Sequence, residues 1–118
     1  NYSTPPTFGA ALVATVLNDP ALRQLWADEL EQMRTRLAGL RGRLAMELAQ
    51  LTGEPETWRC VEQQQGLFSY MRLSPPQVDT LRREHAVYLL KSGRLCVAGL
   101  TDRNIEYVAR AIAAVTRR

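Results

Sequence analysis

Metal and thiol chemistry have little to work with in this chain. Its two cysteines, Cys60 and Cys96, form no Cys-x-x-Cys pair, and its single histidine, His85, has no second histidine or cysteine at ligand spacing. A structural zinc site needs about four such ligands, so none is expected. The thiols are expected to be free and buried, as in a reducing cytoplasm, with a Cys60–Cys96 bridge as the alternative. Lysine is scarcer still: Lys91 is the only one, in the turn Leu90-Lys91-Ser92-Gly93, where it reads as a surface residue. Schiff-base chemistry requires a lysine amine, and nothing in the sequence gives this one a special pocket. No apolar run reaches the roughly 20 residues of a membrane span, and no basic-then-apolar leader opens the chain, so a soluble, unexported protein without a membrane partner is expected. A one-signed charge pattern is missing too. The 15 basic residues exceed the 12 acidic ones by only three and are interleaved with them, which argues against a nucleic-acid partner. No Gly-x-Ser-x-Gly, Gly-x-Gly-x-x-Gly or phosphate-loop pattern occurs, and no nucleophile–base pair is visible. The initiator methionine is also lacking, so Asn1 is expected to be a processed terminus or the start of a piece of a longer chain.

What is present is enough for one folded domain. Apolar residues make up 46% of the 118 and charged residues 23%, a balance that supports a buried core. Pro5-Pro6 opens a helix that continues from Phe8 to Leu17, with Gly9, Ala10, Ala11 and Ala14 suited to close packing. Asp19-Pro20 gives an N-cap followed by a first-turn proline. Beyond it Leu22, Trp26, Leu30, Met33, Leu37, Leu40, Leu44, Leu48 and Leu51 recur at steps of three and four, which predicts one long amphipathic helix with a single apolar stripe. Gly39 and Gly42 each weaken it by about 1 kcal/mol relative to alanine, without overturning the periodicity. Arg34, Arg36, Arg41 and Arg43 are read as its solvated face.

Thr52-Gly53-Glu54-Pro55 ends that helix in a turn. Strands are expected at Trp58–Val61 and Gly66–Met71. Ser74-Pro75-Pro76-Gln77 has capping-box spacing and opens a short helix carrying Val78, Leu81, Arg82 and His85. Ala86–Leu90 and Leu95–Val97 read as two more strands, and Thr101 caps a last helix with Ile105, Val108, Ala109, Ile112 and Val115 buried. The expected fold is α+β, a single domain over residues 1–118 with a small sheet of short strands covered by helices.

Two residues stand out as candidate ligand contacts. In Ser92-Gly93-Arg94-Leu95-Cys96-Val97-Ala98-Gly99-Leu100, an arginine follows a glycine at the rim of an apolar strand. Its permanent charge and planar fork of donors suit a carboxylate or phosphate, and the glycine allows a tight bend or a close ligand. The competing reading of Arg94 is the end of a surface strand. In Gln65-Gly66-Leu67-Phe68-Ser69-Tyr70-Met71, strand alternation places Phe68 and Tyr70 on one face, either as core or, with a glycine nearby, beside a ligand. His85 reads as a helix-end residue without chemistry.

Those two segments, with Asn1-Tyr2-Ser3-Thr4-Pro5-Pro6, resemble the C-terminal part of fold-type I aminotransferases of the aspartate and aromatic amino acid family. The likeness runs over essentially the whole chain, including Val16-Leu17-Asn18-Asp19 and Leu81-Arg82-Arg83-Glu84-His85-Ala86-Val87-Tyr88, and is greatest to the bacterial aromatic amino acid, or tyrosine, aminotransferases. The resemblance implies the small domain of a cytoplasmic, homodimeric, pyridoxal 5'-phosphate enzyme. Such an enzyme moves an amino group from tyrosine, phenylalanine or aspartate to a 2-oxo acid such as 2-oxoglutarate. It also implies that Arg94 binds the substrate α-carboxylate and that Phe68 lines the site beside substrate and cofactor. Ser3 would belong to the segment reaching the neighbouring subunit, with residues 1–18 near the dimer interface. Thr4 stands where relatives often carry asparagine. The cofactor-forming lysine, the partner of the pyridine nitrogen and the phosphate-binding groups would precede Asn1, so the chain is expected to be a fragment, inactive alone and without bound cofactor. Two alternatives are a stand-alone helix-mediated interaction module without catalytic activity and a parent enzyme running another pyridoxal reaction.

Overall fold

The computed structural model describes residues 6–117, and Ser3 and Thr4 lie outside them. The chain falls into two compact units, Asn1–Thr35 and Arg36–Arg118.

The first unit contains helix α1 (Thr7–Asn18) and the beginning of α2 (Pro20–Thr52). Asp19 starts α2 as its sequence position predicts: its carboxylate accepts from the N–H groups of Ala21 at 2.9 Å and Leu22 at 3.1 Å. None of the residues of α1 is buried. Leu12, Val13, Val16, Leu17 and Trp26 line an apolar hollow of about 320 Å³. Further along α2, Glu31 accepts two hydrogen bonds from Arg34, and these hold its carboxyl below the usual carboxylate range.

The second unit holds the core. From α2 it takes Leu40, Leu44, Ala45 and Leu48, from α5 (Ile105–Thr116) it takes Ile105, Val108, Ala109, Ile112 and Val115, and Trp58, Val61, Leu81, Leu95 and Val97 close around them. The stripe on α2 is therefore buried only in its later half, because Leu22, Trp26, Leu30 and Met33 are all exposed. Gly53, at φ +74°, stops α2. The next segment is helix α3 (Pro55–Gln63), not the strand expected at Trp58–Val61. Pro55 opens it, and Trp58 and Val61, three apart, bury together on one helical face.

Strand β1 (Phe68–Tyr70) then pairs antiparallel with β2 (Arg94–Cys96) in a two-stranded sheet. Between them lies α4 (Pro75–His85), started by the predicted capping box: Ser74 Oγ accepts from Gln77 N–H, and Gln77 Oε1 accepts from Ser74 N–H at 2.8 Å. The strand expected at Ala86–Leu90 does not form. Ala86 turns into the left-handed region at φ 52° to close α4, the Val87 N–H returns to the Leu81 carbonyl, and Leu90 meets β2 at the turn, donating to Arg94 O at 3.2 Å, without a ladder developing along the segment. A short 3-10 turn, Val97–Gly99, follows β2. Thr101 Oγ1 accepts from the N–H groups of Arg103 and Asn104 and so organises the turn that leads into α5. The α+β class and its helical cover stand, with two strands among the described residues in place of the four expected. Among the described residues, no helix is long and apolar enough to cross a membrane.

Candidate functional site

The hydrogen bonds flanking β1 and β2 determine which side chains meet. Val97 N–H donates to Leu67 O at 2.8 Å and Met71 N–H donates to Gly93 O at 2.9 Å, on either side of the Ser69–Leu95 pair. In an antiparallel ladder such bonds alternate, so Phe68–Cys96 and Tyr70–Arg94 are the pairs without mutual backbone bonds, where side chains stand closest. Ser69 and Leu95 point inward and are buried, while Phe68, Tyr70, Arg94 and Cys96 all face out. Phe68 and Arg94 are thus diagonal neighbours on one face, a relation with Cα separations of about 7–8 Å. The face carries one guanidinium, two aromatic rings of which Phe68 is 48% and Tyr70 51% exposed, and a thiol.

Gly93 makes this geometry accessible, though by approaching backbone and not ligand. Its φ is +84°, and a Cβ there would lie 3.1 Å from the Leu73 carbonyl oxygen. Arg94 is carried out of that crossing directly onto the rim. Gly66 enters β1 at φ +93° with open space around it, so its role is the turn itself.

The outer edge of β1 is filled by side chains. The Gln64 carboxamide accepts from Tyr70 N–H at 2.7 Å and donates to Tyr70 O at 3.2 Å. Next to it stands Arg41, only 3% exposed, so the expected solvated position for this residue is wrong. Arg41 Nη2 donates to Gly66 O at 2.6 Å and Phe68 O at 2.9 Å, while Nη1 donates to Val61 O at 3.3 Å and to Ser69 Oγ. All four partners are neutral oxygens. Burial pushes the guanidinium below the ordinary arginine range. The sequence held a usable signal for this residue, since Arg41 lies at helical spacing from Leu37, Leu44 and Leu48 and so falls on the apolar stripe. Arg36 and Arg43 also tie α2 to distant segments: Arg36 donates to Leu100 O at 2.8 Å, and Arg43 reaches Asp102 at 3.0 Å and Glu106 at 3.4 Å. Arg34 and Arg36 are exposed as expected, Arg34 in a local pair with Glu31, while Arg43 is half-buried.

The remaining candidates lie elsewhere. Lys91 lines a cleft of about 490 Å³ with Pro75, Pro76, Asp79, Arg82 and Arg83. His85 ends α4; its Nε2 is buried without a hydrogen-bond partner, and its carbonyl accepts from Tyr107 OH at 2.6 Å. The cysteines are free but not buried: Cys60 is half-buried on α3 and Cys96 is exposed. The sheet face fits a carboxylate with an apolar or aromatic group beside it. It does not fit the anchoring of pyridoxal phosphate, because it offers no amine for a covalent bond and one cation for two kinds of anion.

The sequence matches the aminotransferase class I and II family over residues 1–112. It is 52% identical over 116 residues to the aromatic-amino-acid aminotransferase of Escherichia coli, covering 98% of this chain and 29% of that protein. To the mitochondrial aspartate aminotransferase of Arabidopsis thaliana it is 44% identical over 116 residues, again 98% of this chain, and 27% of the relative. The structure superimposes on that of the aromatic-amino-acid aminotransferase from Burkholderia pseudomallei covalently bound to pyridoxal phosphate with a TM-score of 0.89 and 46% identity, covering 98% of this chain and 29% of the other. The chain therefore spans less than a third of the length of the relatives it matches.

Proposed function

The chain belongs to the class I and II aminotransferases, and from that premise we propose that it is the small domain of a longer, pyridoxal-phosphate-dependent aromatic-amino-acid aminotransferase. The parent would act as a cytoplasmic homodimer on amino-acid and 2-oxo-acid substrates, with tyrosine, phenylalanine and aspartate as amino donors. In this reading Arg94 receives the substrate α-carboxylate through two parallel N–H···O bonds, and the Phe68 ring walls the substrate beside it. Ser3 would extend toward the neighbouring subunit. The cofactor supplies the electron sink when bound, and its anchoring lysine is assigned to sequence elsewhere in the parent.

The observation that carries this reading is the placement of Arg94 and Phe68 as diagonal neighbours on one exposed sheet face. A carboxylate held at both oxygens leaves the rest of the substrate little rotational freedom, and the ring restricts it from the side. Such positioning is worth several kcal/mol of barrier, up to about 7–11 in the best cases. In the full-length enzyme, Arg94→Lys keeps the charge but loses the fork, so KM for both amino acid and 2-oxo acid should rise by about tenfold or more. Unchanged steady-state kinetics would exclude the assignment. Cleaner discrimination between aromatic and aspartate donors comes from comparing kcat/KM for tyrosine and aspartate in the unaltered enzyme.

A second reading, an interaction module, draws on the exposed apolar residues of the first unit, among them Leu12, Val13, Trp26 and Leu30. Sedimentation of the isolated chain separates the two, since a monomer at high concentration counts against the module.

A further inference from the structure

Strand β1 has β2 on one side only, and the other side is where a third strand would lie. In its place stand two side chains. Gln64 presents one acceptor and one donor to Tyr70, as an opposing residue in a sheet would. Arg41 takes the Phe68 and Gly66 carbonyls with a single nitrogen, and its other nitrogen holds Ser69 from the inner face. The span from Gly66 to Tyr70 is therefore gripped from the edge and from below, and only its outward face is free.

We propose that Arg41, assisted by Gln64, is a positioning residue of the aminotransferase site, acting as a side-chain strand that fixes the angle and height of the Phe68 ring relative to Arg94. This rests on the reading of Arg94 and Phe68 as substrate contacts. Three features point to a positioning role over simple core filling. The guanidinium is buried without a carboxylate, an expensive arrangement where an apolar side chain would fill the same space. Its fork is used on backbone oxygens at the residue bearing the ring and two residues before it, which fixes the local path of the chain and not merely its packing. And Gly66, at φ +93°, is a soft entry to β1 that would let the strand shift without such a grip.

The test is a double-mutant cycle in the full-length, cofactor-loaded enzyme, with tyrosine as substrate. Arg41→Lys retains charge and cannot reproduce the fork. Because a displacement of about 1 Å can cost up to 100-fold, this change is expected to lower kcat/KM by about 10-fold, chiefly through KM. In a Phe68→Ala background the same change should cost less than about 2-fold, since the ring it positions is gone. Equal losses with and without the ring would show that Arg41 only supports the fold and would overturn the proposal, as would an unchanged kcat/KM in the single variant. If Arg41→Lys does not fold, Gln64→Ala decides in the same cycle: it leaves the buried charge intact and should give a smaller loss that also vanishes with Phe68→Ala, whereas an additive loss or none overturns the proposal. If Phe68→Ala and Arg94→Lys are each without effect, the substrate-contact reading itself fails, and the inference falls with it.

Discussion

Leu30 and Leu44 belong to the same helix and the same three-four apolar pattern, yet Leu30 is 47% exposed and Leu44 is fully buried. The difference follows the division of the chain into two units. Residues after Arg36 find α5, α3 and the sheet to pack against, so the leucines of that half of α2 become core. The residues before it share their unit with α1, a single helix with no buried side chain of its own. Periodicity tells which residues share a face, and whether that face is covered depends on what else the chain supplies.

The contrast can be broken most directly by truncating the same residue type in both halves. Leu44→Ala in the isolated chain should cost about 2–5 kcal/mol, while Leu30→Ala should cost less than about 0.5, as urea denaturation would read it. Comparable losses would mean that the first half is covered after all. Glycines sharpen the same point at a smaller scale. Gly93→Ala meets the Leu73 carbonyl at 3.1 Å and a φ of +84°, so a destabilisation of about 1–3 kcal/mol is expected. Gly9→Ala in α1 has open space around it and should instead favour the helix by about 0.5–1 kcal/mol, seen as added helicity in circular dichroism. The smallest effect is electrostatic. Glu31 titrates below its usual 4.5 because Arg34 hydrogen-bonds its carboxylate, so the stabilisation is present above that value and is lost as pH falls through the lowered pKa. Arg34→Ala should return the Glu31 titration, followed by NMR, toward 4.5 without moving global unfolding, because both groups are solvated.

Much of the local structure was legible because it rests on short-range chemistry. The Asp19-Pro20 helix start, the Ser74–Gln77 capping box and the buried positions of α5 each depend on residues within a turn or two. Aromatic and apolar composition suggests a strand over α3, whereas spacing carries the helical signal: Trp58 and Val61 lie three apart after Pro55. Ala86–Leu90 has strand-like composition, but the chain turns back at Leu90 to Gly93 and bonds Arg94 there, so no ladder extends along it. The face bearing Arg94 and Phe68 was legible residue by residue, but the diagonal relation between them depends on a register that joins segments far apart in sequence. Arginine ordinarily suggests solvent, and three of the four acceptors of Arg41 are backbone oxygens, which the sequence does not mark.

The occupied edge of β1 also bears on how copies of the molecule meet. A short sheet with exposed aromatic rings on its outer face would ordinarily be a hazard, since open carbonyls and N–H groups can template a strand from another copy and seed aggregates. Here the carbonyls of Phe68 and Tyr70 and the N–H of Tyr70 are already engaged by Arg41 and Gln64. Those groups of β1 are thus withheld from intermolecular β-pairing while the Phe68 and Tyr70 rings stay exposed.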